Sequence, residues 1–292
     1  MRRMSQSYWG LPLWLALGVG CSEPDRGPGV PHDAADAPDE DGDSSGEPSD
    51  AEHPFPAAAP SAPDAYDCFF VETFDGPTGA PWPEPWEPLG GVGAADLRSG
   101  WGRLAPELTK YSLARMGAPI GCRDFSAVVT VMFADPQTQG AAIYGRQNGG
   151  YLRETTPFGR GYSVFSEAFR DPAGVGLWRE LGGIEQDLTP VAPFEIIPFV
   201  PYSMRLQVTQ IDASQTLLQG KLWKAGEPEP AAWDVVFVDT QTSLQGAEGG
   251  IALDVWSVLV EGEAAAAYDV YFDDLVVTPP LTKPELPTDL SI

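Results

Sequence analysis

"MRLQVTQ", residues 204–210, alternates without a break: Met204, Leu206 and Val208 against Arg205, Gln207 and Thr209. Successive side chains of an extended backbone point to opposite faces, so this period of two predicts a strand with one face in a core. The same reading extends outward along the chain. "FSAVVTVMF" (125–133), "GGYLRET" (149–155), "GYSVFSEAF" (161–169), "GLWRELGG" (176–183), "WDVVFVDT" (233–240), "GGIALDVWSVL" (249–259) and "YDVYFDDLVV" (268–277) alternate or read as strands buried on both sides. Gly and Pro punctuate the gaps, and no stretch holds a 3.6-residue period through three turns. Many short strands between turn signals predict an all-β sandwich over residues 66–278, not a βαβ fold.

What precedes that region differs in kind. Residues 1–21, "MRRMSQSYWGLPLWLALGVGC", have a basic start, an apolar run from Trp9 to Val19 and a small-residue end. This is the profile of a signal peptide. "LGVGC" resembles a bacterial lipobox, with Gly20 before Cys21 as expected but Gly18 where Leu is usual. Cys21 is the expected lipidation site, against an ordinary cleaved signal or an uncleaved anchor with a chance cysteine. Ser22 after it, in place of Asp, points to the outer membrane. Residues 22–65 are acidic and Pro-rich, and 22–64 contain twelve Asp or Glu against Arg26 alone. With almost no large apolar side chains, this segment cannot offset the entropy of ordering, so it reads as a disordered linker. Its "DEDGD" imitates part of a calcium loop, but no bidentate Glu follows. Residues 279–292, rich in proline, read as a tail.

Charge and histidine content exclude several functions. The chain's formal net charge is −25, and residues 65–292 hold 14 basic against 30 acidic residues. Such a body is repelled by phosphate backbones, which argues against a nucleic-acid partner. Both histidines, His32 and His53, lie in the linker. Ser-His-Asp, Cys-His and His-ligated zinc chemistry is therefore excluded from the sandwich.

Four stretches in order carry a resemblance: "FFVETFDGPTGAPWPEPWEPLGG" (69–91), "GAADLRSGWGRLAP" (93–106), "SMRLQVTQI" (203–211) leading into "LLQGKLWKAGEPEPAAW" (217–233), and the closing "YDVYFDDLVV". This order resembles concanavalin A-like jelly rolls of the laminin G-like group, over residues 68–277. The resemblance implies a two-sheet antiparallel jelly roll whose opening Phe-Asp strand lies beside the closing Phe-Asp-Asp strand. Members serve as sugar-binding modules, accessory parts of glycosidases, or surface domains. The motifs are signatures of fold, not of activity.

Trp223 and Trp233 flank a Gly/Glu/Pro run and can face each other across a hairpin, as packing or as a sugar platform. Tyr144, Trp178 and Trp256 are further candidates for a concave binding face. Pro228 and Pro230 must lie in the hairpin connection, since they cannot donate to a ladder. In "YFDDLVV", Phe272 and Leu275 both read as core, which strict alternation forbids; a bulge at Asp273–Asp274 restores the phase. Asp75 with Asp273 or Asp274 is the candidate site for a structural Ca²⁺, against plain solvated acids. Laminarinase-type catalysis needs Glu-x-Asp-x-Glu on one strand; Glu185 and Asp187 share a face, but Gly183 and Thr189 break the pattern. No catalytic residue is assigned. Cys68 and Cys122 are an even pair in an exported chain, so a disulfide is expected, against two free thiols. The first reading is a non-enzymatic, lipid-anchored envelope domain that binds a glycan. The alternatives are a carbohydrate-active hydrolase of the same fold and a protein-interaction or adhesion module.

Overall fold

The computed structural model describes residues 68–107, 112–258 and 269–281. The segment expected to be a signal peptide, Cys21, the acidic linker and most of the tail lie outside the described residues. The strands are β1 (Phe70–Glu72), β2 (Glu87–Gly90), β3 (Val92–Leu97), β4 (Gly102–Pro106), β5 (Leu113–Cys122), β6 (Phe125–Phe133), β7 (Gln139–Gln147), β8 (Gly161–Glu167), β9 (Gly174–Leu181), β10 (Ile184–Asp187), β11 (Ala192–Pro193), β12 (Pro201–Asp212), β13 (Gln215–Lys224), β14 (Val235–Asp239), β15 (Gly249–Ser257) and β16 (Val270–Thr278). A 3₁₀ turn at Thr242–Leu244 is the one helical element among the described residues.

Two antiparallel eight-stranded sheets form a jelly-roll sandwich. Sheet A runs β14-β13-β12-β6-β16-β4-β3, with β1 also on β16; sheet B runs β10-β9-β8-β7-β15-β5-β2, with β11 on β9. Between them lies the main core, where Met204, Leu206 and Val208 of β12 meet side chains such as Val164, Leu177 and Leu253 of sheet B. The alternate residues of β12 are buried as well, because β12 lies between β6 and β13. Arg205 donates to Ser126 Oγ at 2.8 Å, and Gln207 to Gln219 Oε1 at 3.0 Å.

The opening and closing strands pair as the resemblance implies, Glu72 opposite Leu275. The bulge is also present. The β16–β6 register shifts between Asp273 and Val276, Asp274 adopts φ 47°, and Phe272 and Leu275 are both fully buried. One half of β16 lies on β4 and the other on β1, so the phase change falls between its two partners on that side. Cys68 and Cys122 form a disulfide with a Cα–Cα distance of 5.6 Å. Closing a 54-residue separation contributes about 4 kcal/mol in the chain-entropy picture.

Two strand expectations are corrected. "GGYLRET" is a loop: Gly149 and Leu152 take positive φ, and Tyr151 turns its ring onto sheet B and donates to Leu113 O at 2.7 Å. A buried Tyr with a backbone acceptor outweighs the local alternation. The hairpin strand expected from residue 233 begins at Val235, which pairs with Gly220. Trp233 therefore belongs to the connection, together with Pro228 and Pro230, and does not face Trp223 across paired strands.

Candidate functional site

The outer face of sheet B holds a second apolar cluster. Even-numbered positions of β7 and β15 and their partners put Ala142, Tyr144, Trp178, Phe165, Ala252 and Trp256 on the side away from the main core. Tyr144, Trp178 and Trp256, which lie on three strands, thus share one face. Trp223 and Trp233 belong to sheet A and its hairpin connection.

The rings lie flat because the sheet beneath them is bare. Trp256 is opposite Gly140, where a Cβ would stand 2.2 Å from the indole. Phe165 is opposite Gly176, where a Cβ would stand 2.3 Å from the phenyl ring. Trp178 stacks on Phe165 with centroids 4.1 Å apart and approaches Trp256 at 5.0 Å. The tryptophan N–H groups are used: Trp256 Nε1 donates to Glu167 Oε1 at 2.8 Å, and Trp178 Nε1 donates to Asp187.

Beside the rings lies a buried ionic cluster around Arg115. This arginine is opposite Asp254 across the β5–β15 ladder and grips it with a fork, Nε to Oδ1 at 2.8 Å and an Nη to Oδ2 at 2.8 Å. Its other Nη donates to Glu180 Oε2 at 2.6 Å, and Glu185 Oε1 lies 3.6 Å from the Nη that binds Asp254. The guanidinium stacks 4.3 Å from the Tyr144 centroid, while the Tyr144 hydroxyl donates to Glu185. Arg115 and Glu180 belong to strands four places apart, roughly 19 Å in a flat sheet at ~4.8 Å spacing. Their contact requires the sheet to curl, so this outer face is concave.

Three carboxylates surround one guanidinium, and burial raises the cost of each charge. Burial pushes Asp254 up to about 7, helped by Glu185 and Glu180 against the pull of Arg115. Burial likewise raises Glu185, more than the Tyr144 hydrogen bond and Arg115 lower it.

At the Trp end of the face is a depression of about 370 Å³, lined by residues that include Trp178, Trp256, Glu167, Glu185, Arg170 and Ser257. This is within the size range of small-ligand sites. Glu167 is also raised by burial, against the charge of Arg170. Ser257 is 7 % exposed and its Oγ has no hydrogen-bond partner among the described residues. Arg170 pairs with Glu167 and with Asp187 (3.0 Å) and sits over the rings of Phe165 (4.9 Å) and Trp178 (5.7 Å).

On sheet A the two hairpin tryptophans are joined by a lysine. Lys221 Nζ lies 4.4 Å from the Trp233 centroid and 5.9 Å from that of Trp223. It donates to Pro230 O at 2.7 Å and pairs with Glu229 at 2.7 Å, which also meets Arg205 at 2.8 Å. Burial opposes the Glu229 charge, but Lys221 and Arg205 win and hold its carboxyl below the usual range. Trp223 is 8 % exposed yet belongs to neither apolar cluster. Alternation puts it with Lys221 on the outer side of sheet A, opposite Leu222 in the core.

The candidate calcium acids come near one another without forming a shell. Burial pushes Asp273 up to about 6, with Asp274, Asp75 and Glu72 adding to the effect. One oxygen each of Asp273 and Glu72 is used by the local backbone: Asp273 Oδ1 accepts from Asp274 N at 2.8 Å, and Glu72 Oε1 from Phe74 N at 2.8 Å. Among the described residues no group of three or more His, Cys, Asp or Glu is arranged to hold a metal ion.

Sequence reading missed Arg115, Asp254, Glu180, Glu167 and Arg170 as site residues. A signal existed: "ALDVW" puts Asp254 between Ala252 and Trp256 on one face, and "LWRE" puts Glu180 beside Trp178. A charge in phase with tryptophans on an otherwise apolar strand marks a buried partner elsewhere.

No family model and no curated protein matches the chain. Solved structures similar to it include a carbohydrate-binding module from Bacillus subtilis (12% identity, 66% of this chain and 94% of that one, TM-score 0.41). Others are the LamA catalytic domain from Zobellia galactanivorans (11%, 73% and 97%, TM-score 0.48) and a pseudo-β-1,3-glucanase of Mycobacterium tuberculosis (14%, 73% and 99%, TM-score 0.44). At these values the likeness says nothing of a ligand or a reaction.

Proposed function

We propose that this chain is a glycan-binding β-sandwich whose binding face is the concave outer face of sheet B. One observation carries the reading: Trp178 and Trp256 border a single depression together with the carboxylates of Glu167 and Glu185. Flat rings offer apolar surface to the C–H faces of a sugar, and carboxylates accept from its hydroxyls; a few polar groups on an aromatic floor are the usual make-up of a small-ligand site. The hairpin tryptophans of sheet A are assigned to packing. Titration calorimetry of the full chain against a panel of oligosaccharides tests this. Binding to at least one oligomer, lost in Trp256→Ala and kept in Trp233→Ala, is the expected result. Equal binding by both variants sinks the assignment of the face.

A hydrolase is the second reading, favoured by two carboxyls on one depression that burial raises toward the range of a general acid. Release of reducing ends by the wild-type chain, abolished in both Glu167→Gln and Glu185→Gln, would establish it. Export and anchoring through Cys21, with residues 22–65 as tether to the outer membrane or cell surface, are also proposed. Cys21→Ser then moves the protein to the soluble fraction; unchanged membrane fractionation removes the anchor.

A further inference from the structure

The depression at the Trp end of sheet B already holds a cation of the protein's own. Arg170 extends from the β8–β9 turn, lies over the faces of Phe165 and Trp178, and is held by Glu167 and Asp187. Aromatic faces carry negative quadrupole density and attract cations, most strongly where water is excluded. Arg170 has two carboxylates, Glu167 and Asp187, against its one guanidinium, and Glu185 lines the same depression. Nearby, Glu180 and Asp254 outnumber Arg115 two to one. The concave face is therefore short of positive charge, and so is the body around it. Ser257 adds an unused hydroxyl, more than nine-tenths buried, at the same place.

A uronate or sulfated chain brought here would meet more carboxylates than cations. A saccharide bearing ammonium groups would meet what Arg170 meets now: two aromatic faces and two carboxylates. We propose that the saccharide taken by this face is an amine-bearing one, a cationic aminosugar polymer, and that its ammonium competes with Arg170 for Glu167, Asp187 and the Trp178 face. The inference rests on the glycan-binding reading and names its ligand class. Arg170 thereby acts as a specificity device: it fills the site with a weak internal cation and is displaced only by a ligand that replaces both its charge and its stacking.

The full chain is titrated with glucosamine oligomers, N-acetylglucosamine oligomers, laminari-oligosaccharides and oligoalginate, at low salt and in 0.5 M NaCl. The expected result is at least tenfold tighter binding of the glucosamine oligomer than of its N-acetylated counterpart, weakened by salt. Arg170→Ala should raise that affinity severalfold, since it removes the competitor. Tighter or equal binding of a neutral or anionic oligomer overturns the inference and leaves glycan binding intact; no binding of any oligomer overturns both. Trp178→Ala leaves the net charge unchanged, so undiminished glucosamine-oligomer binding by that variant would trace the attraction to bulk charge and overturn the proposal. Asp187→Asn, whose side chain is half exposed, serves if Trp178→Ala does not fold. It should lose affinity severalfold, and unchanged affinity counts against the site.

Discussion

Two places in this molecule put a cation among tryptophans. On the outer side of sheet A, Lys221 is enclosed by Trp223, Trp233, Glu229 and the carbonyl of Pro230. On the outer side of sheet B, Arg170 lies over Trp178 at the rim of an open depression. The ingredients are the same and the balance differs. Around Glu229 two cations meet one acid, and its carboxyl is held below the usual range. Around Arg170 and Arg115 the acids outnumber the cations, and burial pushes the carboxyls of Glu167, Glu185 and Asp254 up. A carboxylate gripped by two cations is a clasp that closes a hairpin. A face with surplus acid and an open depression lined by Trp178 and Trp256 has capacity left for something else.

The largest effect is expected from Arg115→Met. It leaves Asp254 and Glu180 buried without their counter-ion. Denaturant unfolding should show a loss near the upper end of about 3–5 kcal/mol. A loss below about 1 kcal/mol would mean that the cluster is already neutral and that the contrast between the two sheets is false.

Next comes Trp223→Ala. The ring is buried but outside both apolar clusters, so the cost should sit at the low end for a buried Trp, about 3 kcal/mol. Glycan affinity should not change. The opposite pattern, stability kept and affinity lost, would exchange the roles of the two faces.

The pH dependence sharpens the electrostatic half of the comparison. Asp254, at about 7 in the fold, keeps a proton that the unfolded chain, with an ordinary Asp near 3.9, has already released. The folded state thus binds more protons between about pH 4 and 7, so stability is greatest at the acid end and falls as pH rises through that window. Asp273, at about 6, adds to the same slope. Melting temperatures measured from pH 4 to 8 should decline, and Asp254→Asn should flatten the curve. A stability that climbs over this range would show the carboxylates ionised and fully paired.

The smallest effect belongs to the clasp. Glu229 is one-third exposed, so a double-mutant cycle between Lys221→Met and Glu229→Gln should give a coupling of about 0.5–1 kcal/mol. A coupling as large as the Arg115 loss would put both sites in one class.

Much of the architecture was legible in the chain. The alternation in "MRLQVTQ" and "FSAVVTVMF" dictates strands, because a two-residue period puts Met204, Leu206 and Val208 on one side of their run and Phe125, Ala127, Val129, Val131 and Phe133 on one side of theirs. The misfit of Phe272 and Leu275 demanded a bulge, and one is present. The cysteine pair and the prolines of the hairpin connection were readable for equally local reasons. The shared face of Tyr144, Trp178 and Trp256 was not, since it depends on which strands are neighbours and in what register. Nor could the strand reading of residues 149–155 survive, because the ring of Tyr151 finds its place only on an assembled sheet. Above all, Arg115 meets Glu180 only because sheet B curls. Local pattern decides whether a residue points in or out; the fold alone decides what it then meets, and that sets whether a carboxylate is held by a cation or left with a surplus of its own kind.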